Sequence, residues 1–144
     1  MQDAYVNAFR SVVKETQATT GFELPEPIEC YVVMLLAHYM DRPDFLPEKS
    51  FAHAYLKLRK PTGHSAKELG DACLIVCGAF QTYGTHMGLT KKYFQDIGIS
   101  SYDTIAHNLN YTLFSLLSQH FIFVSEFIDR VVTPPPVQYK GLFR

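Results

Sequence analysis

Cys73 and Cys77 stand four residues apart, a spacing that puts both on one face of a helix. Two thiolates at that separation can hold a soft metal ion or act as a redox pair. Their neighbours, Leu74, Ile75, Val76 and Ala79, supply a second account. Cysteine in such company behaves as a small buried hydrophobe, and an apolar setting raises its pKa and makes it inert. His38 and Asp41 are three apart at the end of an apolar stretch. Asp103 and His107 are four apart, with Tyr111 one turn further along. A carboxylate beside a histidine can orient the imidazole for general-base work or for metal ligation. The plainer account is that these groups lie near helix surfaces and hydrogen-bond locally. None of the six histidines falls in an HExxH or ExxH arrangement, so the signature of a helical di-iron site is missing.

Asp71 is the most informative charge, because it opens an otherwise apolar run from Ala72 to Phe80. A buried carboxylate without a partner is costly and shifts its pKa upward. Lys67 lies one turn earlier and offers an ion pair, while Tyr93 or Tyr102 can donate a hydrogen bond. We therefore read Asp71, Tyr93 and Tyr102 as buried polar groups that serve the structure. His38, Asp41, Cys73, Cys77 and His107 remain the candidates for a ligand or metal site, and no particular cofactor is indicated. No GxxxxGK[ST], no GxGxxG after a strand and no GxSxG elbow occurs, so phosphate-cradle and nucleophile-elbow chemistry has no motif here.

These groups have to be positioned by helices. Tyr5, Phe9 and Val13, beside Ala4, Ala8 and Val12, repeat at helical spacing and predict an amphipathic helix over 3–18. Pro27 suits the first turn of a second helix, with Glu26 and Glu29 at its positive end. That helix, Ile28 to Met40, is apolar almost all round and should be buried on most sides. Another begins at Pro47. Ser65-Ala-Lys-Glu68 matches a capping box and opens the helix that carries Asp71 through Phe80. Thr90 is placed to cap a short helix ending near Ile97, Gly98 to stop it in a left-handed conformation, and Ser100 or Ser101 to start the next. From Tyr102 to about Val132 the pattern is helical, with a break near Ser118-Gln119. The run Phe121-Ile-Phe-Val124 is ambiguous, since short apolar runs do not separate helix from strand. Pro134-Pro135-Pro136 ends regular structure.

The expectation is one all-α domain over 1–133, a bundle of six or seven helices around a buried central helix, followed by an extended tail over 134–144. At 144 residues and 47% apolar composition the chain has material for one sizeable core. Thirteen basic residues against fourteen acidic ones leave no basic stripe of the kind that nucleic acid requires. Its clusters, Lys57-Leu58-Arg59-Lys60 and Lys91-Lys92, read as solvated helix ends. Three cysteines without CxxC spacing make no disulfide framework, and no run satisfies the length of a membrane span. A cytoplasmic, non-secreted chain is expected.

The pattern Gly70-Asp71-x-x-Leu74-x-x-x-Gly78-x-Phe80, followed by Tyr93-Phe94-x-x-Ile97-Gly98-x-x-Ser101-Tyr102, resembles a family of small uncharacterised bacterial helical proteins. Leu24-Pro25-x-x-Ile28-Glu29-x-Tyr31-Val32-Val33-x-Leu35-Leu36 is similar to an earlier helix of that family. The resemblance spans about residues 22–106 and implies the helical fold; it carries no activity. With no catalytic motif, near-neutral charge and aromatic residues concentrated at Tyr111, Phe114, Phe121, Phe123 and Phe127, the sequence points to a non-enzymatic interaction or regulatory module. Its partner is another protein or a second copy. The alternative is a helical pocket for a small apolar ligand or a metal ion.

Overall fold

The computed structural model describes residues 2–41, 63–80, 85, 88–109 and 112–133. Among them it contains six helices and no strand: α1 Gln2–Thr20, α2 Glu26–Asp41, α3 Gly63–Ala79, α4 Lys91–Leu109, α5 Thr112–Gln119 and α6 Phe121–Val132. The run Phe121-Ile-Phe-Val124 is therefore the first turn of α6. No helix among the described residues is long and apolar enough to cross a membrane. The helix expected from Pro47, the basic cluster at Lys57, and the proline-led tail lie outside the described residues.

Local chemistry sets the helix ends. Gly21 takes φ 77° and its N–H reaches the Gln17 carbonyl at 3.0 Å, which stops α1 on a left-handed residue. The Gln17 side chain then accepts the Leu24 N–H at 2.8 Å and holds the short turn into α2. Thr90 caps α4: the Tyr93 N–H reaches its carbonyl at 3.1 Å and its hydroxyl at 3.3 Å. Helix α3 starts at Gly63, two residues before the Ser65 box, and ends at Ala79, where the Phe80 N–H still bonds the Val76 carbonyl. The expected break near Gln119 falls at His120. Its N–H closes α5 on Leu116, and its carbonyl accepts the N–H of Val124 in α6.

Helix α3 is central. Every residue from Leu69 to Gly78 is buried, which fits a segment that is apolar on all sides apart from Asp71. Its closest neighbours are α4 and then α6, while α1 packs on α2 and touches α6. Helix α2 meets α3 mainly through side chains rather than through close backbone approach.

Gly98 corrects the sequence reading. It does not end a helix; α4 runs through it from Lys91 to Leu109. A Cβ at Gly98 would lie 2.5 Å from Cε2 and Cζ of Phe121 and 2.9 Å from the Cβ of Cys73. The missing side chain is thus a notch that admits the Phe121 ring of α6 and the flank of α3. Ser101 caps nothing: its hydroxyl donates to the Ile97 carbonyl at 2.8 Å inside the same helix. A second notch lies at Gly70, where a Cβ would come within 2.6 Å of the Tyr102 ring.

Three of the aromatic side chains expected to mark a surface are core residues instead. Phe114, Phe121 and Phe127 are buried, and Phe123 is half-buried, meeting the edge of Phe22 at 5.3 Å between centroids. Their helices turn these rings inward because α5 and α6 each present a strongly one-sided apolar face. Tyr111 lies outside the described residues.

Candidate functional site

Three helices converge on Asp71. The residue sits in the buried middle of α3 and is 3% exposed. Lys67, one turn earlier on the same helix, puts its Nζ 2.8 Å from Asp71 Oδ2. Tyr102 of α4 crosses the bare backbone of Gly70, and this brings its hydroxyl within 2.6 Å of Asp71 Oδ1. Tyr31 of α2 donates its hydroxyl to the same oxygen. The ammonium of Lys67 also lies 5.4 Å from the centroid of the Tyr31 ring, within range of a cation–π attraction.

The rings hold one another. Tyr31 meets Tyr102 edge-on at 6.3 Å and Phe114 edge-on at 5.8 Å, while Tyr102 packs against Phe114 and Phe121 at 5.8 and 6.0 Å. Such contacts fix the direction of both hydroxyls.

The electrostatics follow from this geometry. Burial pushes the Tyr102 phenol well above its ordinary value, and the charge of Asp71 pushes it further. Tyr31 is raised for the same reasons in the same order, with its hydrogen bond to Asp71 adding to the effect. Both phenols therefore keep their protons at neutral pH and act as donors. The carboxylate accepts three hydrogen bonds, one from a cation, which is how a buried charge becomes tolerable. A general base needs an open lone pair that a substrate can reach. Asp71 Oδ1 is occupied by two phenols under a cover of rings, so the cluster is built to hold helices together.

Tyr102 was legible as a partner of Asp71, and so was Lys67. Tyr93 is half-buried, with its ring edge-on to Phe94 at 4.9 Å. The second phenol on Asp71 is Tyr31, which sequence reasoning took as one more core side chain of an apolar helix. The available signal was that a phenol on a buried helix face needs an acceptor.

The other candidates separate. Cys73 and Cys77 are buried on the inner faces of α3. Burial pushes the Cys77 thiol up to about 12, with the charge of Lys91 opposing, and raises Cys73 as well. Cys77 Sγ faces the Lys91 carbonyl at 4.0 Å. Both thiols are packed as core, and such a setting disfavours the reactive thiolate. His38 and Asp41 lie exposed on the last turns of α2, and His107 lies exposed near the end of α4. Among the described residues no three His, Cys, Asp or Glu side chains are grouped so as to hold a metal ion. Lys92 pairs with Asp96 at 3.2 Å on the open surface, as a solvated helix end does.

His38 does share one feature with Asp71. A cleft of about 250 Å³ opens between α2 and α3, walled by Tyr31, Met34, Leu35 and His38 on one side and by Lys67 and Asp71 on the other. It lies on the solvent side of the cluster. Comparison with protein-family models, curated proteins and solved structures finds no match for this chain.

Proposed function

We propose that the chain acts by association rather than by catalysis, as an interaction or regulatory module whose first partner is a second copy of itself. The supporting observation is the outer face of α2. This helix is apolar almost all round, and such helices are ordinarily covered on every side. Ile28, Val32, Leu35 and Leu36 are buried, yet Cys30 is exposed and Met34 and Met40 are each 48% exposed. Phe80, at the end of α3, is 37% exposed and leans on Tyr39 at 5.6 Å. Methionine is flexible and polarisable, which suits a surface that adapts to a partner. The face is a different one from the aromatic C-terminal half that the sequence indicated.

A symmetric dimer through α2 is the simplest arrangement, because one patch then serves both copies. Three free thiols, one of them on the surface, suit a reducing compartment such as the bacterial cytoplasm. The resemblance of residues 22–106 to small bacterial proteins belongs to the same proposal.

Sedimentation velocity over a wide concentration range tests the reading. The wild-type chain is expected to move from monomer to dimer, and a Met34→Glu, Met40→Glu double variant to stay monomeric with an unchanged helical spectrum. A wild-type chain that is monomeric throughout overturns self-association.

A further inference from the structure

We infer that the cleft between α2 and α3 is a binding site for a small aliphatic monocarboxylate, with Lys67 facing the carboxylate and Met34, Leu35 and the Tyr31 ring lining the alkyl chain. The polar groups around the cleft are not equivalent. Asp71 forms part of the wall but is only 3% exposed, and its charge is taken up by Tyr31, Tyr102 and Lys67. Both phenols point their protons inward at that carboxylate, so neither is offered to the cleft. Lys67 differs. Its side chain is 45% exposed, and an ammonium has three N–H donors, of which Asp71 Oδ2 takes one.

The position of that ammonium is also fixed from two sides, by the carboxylate at 2.8 Å and by the Tyr31 ring at 5.4 Å. A lysine held in one place loses little further freedom when it meets an anion, which favours binding. The cluster thus presents a dipole: negative charge buried and dispersed over three donors, positive charge at the cleft. His38, on the opposite wall, adds a second nitrogen-bearing group to the rim.

The class of ligand follows from the size and lining. A cleft of about 250 Å³ is below the range of drug-sized sites, so the ligand is small. Because the charge of Lys67 already offsets Asp71, what the ammonium offers is its remaining N–H donors. These suit one carboxylate group, whereas a phosphate dianion calls for more donors or a second cation. The walls beside Lys67 are aliphatic and aromatic, and they gain from covering a short hydrocarbon chain. This site goes beyond the association proposed above, although Met34 belongs to both surfaces.

The test is a nuclear magnetic resonance titration of the full chain, followed at the methyl groups of Met34 and Leu35. It is run on monomeric protein, at dilution if the chain associates, so the outcome is independent of self-association. Sodium hexanoate is the probe, with sodium acetate, hexanol and hexylammonium chloride as comparisons. Hexanoate is expected to give saturable shifts at Met34 and Leu35 and to bind more tightly than each comparison. Lys67→Gln keeps a donor for Asp71 and removes the charge; it is expected to weaken hexanoate about fivefold, the scale of a half-exposed ion pair. Met34→Glu, which leaves every partner of Asp71 in place, is expected to abolish hexanoate binding and to admit hexylammonium. Equal binding of hexanoate and hexylammonium by the wild type overturns the assignment of charge. Shifts that never saturate, or that lie away from the cleft, overturn the site.

Discussion

Replacing Tyr102 by Phe removes one oxygen and leaves the ring that lies over Gly70 in place. Asp71 then keeps Tyr31 on Oδ1 and Lys67 on Oδ2 but loses a 2.6 Å hydrogen bond in a position that water does not reach. A hydrogen bond to a charged group contributes about 1.5–3 kcal/mol, more than one between neutral groups. Because the carboxylate retains two donors, the lower half of that range applies, about 2 kcal/mol. A chain of this length should lose about 5–8 °C in Tm for that change. Urea unfolding followed by far-ultraviolet circular dichroism measures it directly, with the midpoint falling and the slope unchanged. The same substitution at Tyr31 should cost less, since water can replace a half-buried hydroxyl, and the two effects should not add, because both phenols share Oδ1. A Tyr102→Phe protein within about 0.5 kcal/mol of wild type would show that the phenol is not committed to the carboxylate, and the reasoning about the cluster would fail.

Two further outcomes follow from the same packing. Gly98→Ala places a methyl group 2.5 Å from the Phe121 ring; overpacking should cost about 1–3 kcal/mol despite alanine's better helix propensity, and a Gly98→Ala, Phe121→Leu pair should recover part of it in the same urea assay. Alkaline pH should destabilise the fold: Tyr31 and Tyr102 keep their protons when folded and lose them near pH 10 when unfolded, so the unfolded chain binds fewer protons and stability falls as pH rises above about 10. The tyrosinate absorbance should report these two phenols as ionising only with unfolding, whereas ionisation in the native state near pH 10 would contradict their burial.

The all-helical class, the cap at Thr90 and the central place of α3 were legible because each rests on local spacing or on the composition of one segment. Gly98 was not, because glycine in sequence reads as a stop, and only the ring of Phe121, carried by a helix that starts 23 residues further on, makes it a continuation. Asp71 announced that it needed partners. That Tyr31 was one of them depended on how α2 crosses α3, a separation of 40 residues that no local pattern encodes. The aromatic C-terminal half misled for a similar reason: composition reports how many rings there are, and helix orientation decides which way they face. The cleft beside Lys67 had no signature at all, since its walls come from two helices whose relative placement is tertiary.

The node at Asp71 also constrains how this sequence can change over generations. Loss of the carboxylate alone strands a buried and a half-buried phenol, and loss of a phenol alone leaves a buried charge short of a donor. Exchanging the whole set for apolar side chains of matched shape is nearly neutral or even stabilising, as with other buried ion clusters. Intermediate steps lie in a valley between two workable solutions. Descendants of this chain should therefore inherit Tyr31, Asp71 and Tyr102 together or lack them together, a correlated fate for three residues lying in three separate helices.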